Sequence, residues 1–302
     1  MAETVTRALQ TVGATLRYDV RPGTGSDPRP LLLIGSPMDA AGFATLASYF
    51  GDRTVVTYDP RGVGRSERTD GAPETLPEEH ADDLARLIGA LDAGAVDVFA
   101  SSGGAVNALA LVTARPDLVH TLVAHEPPCA PVLPDREAAL AVCADIHRTY
   151  LREGSGVAMA KFIALVSRTG PIPADWAEEP APSPEAFGLS AEDDGTRDDA
   201  LLGQNMRGCT SYHPDFAVLR AVTARIVIAA GKESEGTFCA RAAAAVAEGI
   251  GVPLAVYPSH HGGFLGGEHG QHGAPAEFAE ALRASLAEES PVVQPFAFPP
   301  VS

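Results

Sequence analysis

Cysteine is scarce in this 302-residue chain: there are 4, at positions 129, 143, 209 and 239, and none stands in CxxC spacing. That argues against a disulfide framework or a structural zinc knot, and free thiols in a reducing compartment are the simplest expectation. Positive charge is also short, with 22 Lys and Arg against 39 Asp and Glu, a net charge of −17 and a pI of about 4.8. Such a surface repels phosphate backbones and anionic lipid, so neither nucleic acid nor membrane is expected as a partner. No apolar run approaches the ~20 residues that a membrane span needs. The opening residues, MAETVTRALQ, lack the apolar block of a secretory leader, and a cytoplasmic location is expected. What remains, 45% hydrophobic and 20% charged, describes a globular protein with enough chain for one large core, or a core with an insertion. No internal repeat is present.

Alternation of short apolar runs with helical periodicity organises the chain. Segments 6–12 and 15–20 read as paired strands, and 21–30 as a Pro/Gly turn region. Buried strands are predicted at 30–34, 54–58, 96–100 and 120–125, with helices at 39–50, 77–91 and from 103 to the Arg115-Pro116 stop. This rhythm implies an α/β protein with a mostly parallel central sheet flanked by helices. It breaks after Pro127: helical patterns at 135–152 and 156–168, a Pro- and acid-rich loop at 170–194 and a helix near 198–207 contain no buried strand. Strand and helix then resume at 225–230, 237–249, 253–257 and 275–289. The expected division is a core of 1–128 and 215–290, an inserted helical cap of 129–214 over the sheet's carboxyl edge, and an extended tail at 291–302. The tail could pack on the body or on a neighbouring subunit, which leaves a homodimer open.

The segment 96–108, VDVFASSGGAVNA, is the most informative. An apolar strand runs into Ala-Ser-Ser-Gly-Gly and then into a helix, with Ser102 at the apex of the turn. Ala100 and Gly104 flank it by two residues, where larger side chains would collide as the backbone reverses. The bland alternative is an ordinary Gly-rich strand-to-helix turn. Ligands of open α/β sheets sit beyond the carboxyl ends of the strands. The residues found there are Ser36 after the first buried strand, Asp59 to Ser66 after the second, Ser102, then Glu126, and His261 after the last. A hydroxyl, a carboxylate and an imidazole thus occur in that order.

These residues carry a resemblance. The chain from about residue 10 to 288 resembles the α/β-hydrolase fold superfamily. The similar branch holds serine hydrolases, cofactor-free haloperoxidase-like esterases, epoxide hydrolases and haloalkane dehalogenases. ASSGG resembles the G-x-S-x-G nucleophile elbow, with Ala100 for the first Gly. Gly35-Ser36-Pro37 resembles that branch's H-G-x-P, with Ile34 in place of His, and Asp59 to Ser66 matches its D-x-R-G-x-G-x-S. The last is more simply a structural turn near the site. The resemblance implies Ser102 as nucleophile and His261 as its base; His260 is less suited, because the family keeps a small residue before that base. It also implies an oxyanion hole from the amides of Ser36 and Gly103.

The third member of the triad departs from the family pattern. G-x-x-D after strand 225–230 would put Asp at 234, but the chain reads Gly231-Lys232-Glu233-Ser234-Glu235. Some dehalogenases supply a glutamate after the strand that follows the nucleophile helix, where this chain has Glu126. The expected order of preference is Glu126, then Glu235, then Glu233, with a cap salt bridge as the structural alternative for Glu126. A metal site among His260, His261, Glu268, His269 and His272 is disfavoured by its spacing and its glycines, and neither metal nor cofactor is expected. His125 and His147 read as satisfied structural histidines, and Trp176 and Tyr212 as core or cavity residues. The implied activity is a serine hydrolase acting through an acyl-enzyme on a small, largely apolar ester, lactone or related carbonyl compound. Serine rather than aspartate at the elbow argues against epoxide or haloalkane chemistry. Two alternatives stay open: a biosynthetic enzyme using the pocket for cyclisation, acyl transfer or C–C cleavage, and a non-catalytic ligand-binding protein.

Overall fold

The computed structural model describes residues 3–287 except residue 28, so the tail at 291–302 lies outside the described residues. Two antiparallel strands, β1 (Val5–Thr11) and β2 (Ala14–Arg21), open the chain. Then follow β3 (Leu31–Ile34), the short helix α1 (Ala44–Ser48), β4 (Val55–Asp59), the two-residue β5 (Glu67–Arg68) and α2 (Pro77–Leu91). Next come β6 (Val96–Ser101), α3 (Gly103–Ala114) and β7 (Val119–His125). Between β7 and the next strand lie α4 (Arg136–Glu153), α5 (Ser155–Ser167), α6 (Met206–Ser211) and α7 (Phe216–Ala221). The chain closes with β8 (Arg225–Gly231), α8 (Phe238–Ile250), β9 (Leu254–Tyr257) and α9 (Pro275–Leu286).

The strands form one sheet in the order β1-β2-β4-β3-β6-β7-β8-β9, with β5 beside β2. From β4 to β9 every pairing is parallel, and β2 joins β4 antiparallel. Helices cover both faces, which is why the central strands read as unbroken apolar runs. The period of two divides each strand between the layers. Leu32, Ile34, Val56, Val98 and Ala100 face α2, α3 and α8, whereas Leu31, Leu33, Val55 and Phe99 face α1 and α9. Each such side chain contributes about 1.5–3 kcal/mol by leaving water. Asp97 is the polar exception inside β6; it is paired with the buried Arg53 at 2.6 Å.

Most expected elements form, with differences of local chemistry. The predicted helix at 39–50 is a 3-10 turn, Ala40–Phe43, capped by the Asp39 carboxylate and continued by α1. The predicted helix near 198–207 is a π-helical turn, Ala200–Asn205, followed by α6. Asp199 caps that turn by accepting from the Leu201 and Leu202 amides at 2.9 and 2.7 Å. The α4–α6 block has its own apolar cluster, including Ala139, Val142, Ile146, Leu165 and Met206, which joins Phe238 and Ala242 of α8. α3 is apolar nearly all round because it is buried nearly all round, from Gly103 to Val112. Among the described residues no helix is long and apolar enough to cross a membrane.

Candidate active site

Ser102 occupies the turn between β6 and α3 with φ 57° and ψ −127°, a backbone region sparsely populated by residues with a Cβ. Its amide donates to the His125 carbonyl at 2.9 Å, and its carbonyl accepts from the Ala105 amide at 2.9 Å. The two glycines that follow are required by contact: a Cβ at 104 would lie 2.6 Å from the Ile34 carbonyl oxygen, and one at 103 would lie 2.7 Å from that of Ser36. The end of β3 is thus pressed against the turn. Ser36 and Gly103 both face the same cavity. Among the described residues neither of their amides donates to a backbone carbonyl in the turns, loops and caps.

His261 follows β9, and its Nδ1 meets Glu126 Oε2 at 2.5 Å. A carboxylate there holds the proton on Nδ1 and leaves Nε2 as the free base. Glu126 directly follows β7, with φ 51° and a fully buried side chain. Its amide donates to the Ala229 carbonyl at 2.9 Å, and its Oε1 accepts from the Gly231 amide at 2.8 Å. Burial opposes ionisation of this carboxyl. The hydrogen bond and charge of His261, with His125 and the Gly231 amide, more than offset that and bring it down to about 2. His261 is drawn the other way: burial lowers its pKa, but Glu126 wins and raises it above the ordinary imidazole value.

Ser102, Glu126 and His261 line one cavity of about 640 Å³ together with Ser36 and Gly103. Its apolar wall comes from Met159, Phe162, Ile163 and Val166 of α5, Met206 and Cys209 of α6, and Phe238 of α8. Asn205 belongs to this wall and had no motif to announce it. Its Oδ1 accepts from the buried His80 ring at 2.6 Å and from Ser36 Oγ at 3.4 Å, tying the β3 loop to the helical block. Glu233 lines the cavity and Glu235 does not; both are exposed. Among the described residues the hydrogen bond and ion pair of His261 go to Glu126 and to neither of these glutamates.

Other sequence candidates fall elsewhere. Asp59 accepts from the Ala40 and Arg65 amides at 3.0 and 2.8 Å and from Arg65 Nε at 2.7 Å. Arg61 is buried in a two-pronged bond to Asp83 at 2.8 and 2.9 Å, and no residue of 59–66 lines the cavity. Trp176 and Tyr212 are packing residues outside the cavity. His147 is satisfied by the Leu202 carbonyl at 2.9 Å. His125 corrects the expectation in part. Its Nδ1 is 3.2 Å from Ser101 Oγ, but its buried Nε2 has no hydrogen-bond partner and faces Glu126 Oε1 at 3.8 Å. Burial, then the charge of His261, outweighs Glu126 and depresses this imidazole to about 4. The His-rich stretch is tied within its loop and to α1: His260, which also lines the cavity, bonds the His272 carbonyl at 3.1 Å, and Glu268 accepts from the Thr45 and Gly266 amides at 2.7 and 2.6 Å. Among the described residues no group of three or more His, Cys, Asp or Glu side chains could hold a metal ion.

Comparison with known proteins agrees with this architecture. Residues 31–180 match the family profile described as alpha/beta hydrolase fold. An uncharacterised hydrolase of Bacillus subtilis, YraK, is 30% identical over 263 residues, covering 85% of this chain and 89% of that protein. The 2-(acetamidomethylene)succinate hydrolase of Mesorhizobium japonicum is 37% identical over 103 residues, covering 33% of this chain and 36% of that protein. Among solved structures, a thermophilic esterase from Thermogutta terrifontis superposes with a TM-score of 0.64 at 20% identity, covering 95% of this chain and 99% of that one.

Proposed function

The chain belongs to the α/β-hydrolase fold family and is an enzyme of the hydrolase type, and from that premise we propose that it is a serine hydrolase working through Ser102, His261 and Glu126. The observation that carries the proposal is the His261–Glu126 bond of 2.5 Å in a cavity that Ser102 also lines. In the proposed reaction Ser102 Oγ attacks an acyl carbonyl while His261 Nε2 takes its proton. The Ser36 and Gly103 amides receive the developing oxyanion, each contributing about 3–4 kcal/mol to the transition state. His261 then returns the proton to the leaving group. In the second half it takes a proton from water, whose oxygen attacks the acyl carbon, and it gives that proton to Ser102 Oγ as the C–Oγ bond breaks and the acid leaves.

The strained backbone at 102, the two unengaged amides and the offset pKa values of Glu126 and His261 support this reading. The wall from α5, α6 and Phe238 favours a small, largely apolar ester or lactone, with residues 129–214 acting as a cap. A fluorophosphonate probe tests the chemistry. It is expected to label Ser102 in the wild type and to leave Ser102→Ala unlabelled; a folded wild-type protein inert to the probe overturns the proposal.

A further inference from the structure

The loop after β8 is built rigidly, yet its side chains give nothing to the His261–Glu126 pair. The Gly231 amide is bound to Glu126 Oε1 at 2.8 Å, and the Glu233 amide donates to the Ser259 carbonyl at 2.9 Å. Four residues on, the Thr237 amide and hydroxyl donate to the Ser234 carbonyl at 3.0 and 2.7 Å. At Gly231 a Cβ would lie 2.7 Å from the Ser259 carbonyl oxygen, so the backbone is pinned on that side too. Glu233 is held between these anchors and lines the cavity as a solvent-exposed residue, so its charge stands at the border of the cavity with water. Its carboxylate makes no hydrogen bond or ion pair among the described residues.

The rest of the lining sharpens the point. No lysine or arginine contributes to the wall, and the neighbouring Lys232 is not part of it. The other lining carboxylate, Glu126, is already engaged by His261 and the Gly231 amide. Any positive charge on His261 is therefore balanced within the pair. An ion entering an apolar cavity loses hydration and is accepted only where an opposite charge replaces it. The remaining imidazole of the lining, His260, accepts from the Gly262 amide at Nδ1 and donates from Nε2 to the His272 carbonyl, the bonding of a neutral ring, so a carboxylate would find no counter-charge and one free like charge. An ammonium would find Glu233, with α5 and α6 to receive its alkyl part.

Building on the serine-hydrolase reading, we propose that Glu233 is the specificity-determining residue of this cavity: it selects apolar substrates that carry a cationic, amine-type group and disfavours those that carry a carboxylate. Binding to the full-length Ser102→Ala protein tests this without requiring the nucleophile. Calorimetric titration with hexyltrimethylammonium and with hexanoate at low ionic strength is expected to show at least about tenfold tighter binding of the cation. The preference should shrink in high salt. Adding Glu233→Gln should bring the two ligands within about threefold, and Glu233→Lys should reverse their order. Equal binding of the two ions, no measurable binding of the cation, or a preference that survives Glu233→Gln each overturns the proposal. Fluorophosphonate labelling judges the chemistry separately. An inert Ser102 beside an intact, Glu233-dependent cation preference would remove the nucleophile and leave this assignment standing.

Discussion

In the proposed mechanism His261 must be neutral to accept a proton, and its partner makes that harder. Burial lowers its pKa, but the Glu126 carboxylate more than offsets this, so the acid limb of kcat/KM should lie above the ordinary 6.5. Glu126→Gln removes the charge and the tautomer control together. It should cut kcat by about 10⁴ and move that limb to lower pH, as measured by a pH–rate profile. A limb that stays in place would show that Glu126 does not set the imidazole. Stability follows the opposite signs of the two shifts. The raised His261 adds stability that is complete below 6.5 and lost as pH rises through its folded value. Glu126, held at about 2, adds stability present above its ordinary 4.5 and lost as pH falls toward 2. At this scale the sequence was legible where a residue type and a turn coincide: Ser102, Glu126 and His261 could be singled out, and they share one cavity, with His261 bonded to Glu126. It was silent on Asn205 and on the bare Nε2 of His125, because partners brought together by folding leave no local pattern.

α3 shows how an element transmits a constraint to a side chain. Its first two residues are glycines because β3 occupies the space of their Cβ atoms, and Ser102 is thereby pushed into its unusual conformation. Gly104→Ala places a methyl 2.6 Å from the Ile34 carbonyl oxygen and should cost about 1–3 kcal/mol, read as a lower urea midpoint. Labelling of Ser102 should slow in the same variant as the turn shifts; unchanged stability and labelling would contradict the contact. Long elements were readable from periodicity, α2 at its observed bounds of Pro77–Leu91 among them. The misreadings are short or side-chain-capped: the 3-10 turn at Ala40–Phe43, the π turn at Ala200–Asn205 and the unpredicted α7 of six residues. Six residues span fewer than two turns and carry too little repeat to detect.

At the scale of the molecule, the helical block meets the sheet-bearing layer through its apolar cluster with α8 and a few polar ties. Arg241 of α8 is bonded to Asp135 and donates to the Gly170 carbonyl at 2.9 Å, while Asp135 also accepts from the Ile172 amide at 2.7 Å. Arg241→Ala leaves that carboxylate largely buried without its cation and should cost about 3 kcal/mol. Faster limited proteolysis within 170–194, at unchanged cleavage elsewhere, would report the loosened block. The alternation of strands and helices was enough to expect a parallel sheet. The spatial order of its strands, and the antiparallel seam of β2 with β4, arise from pairings too distant in sequence to leave a local trace. The proposed nucleophile and acid leave from adjacent strands, β6 and β7, so the acid needs no side chain from the loop beyond β8. Under the proposed function, proton traffic and appetite would be governed by separate ribbons. On that reading a descendant of this chain could change its diet by exchanging residues at 232–235 while inheriting an undisturbed reaction engine.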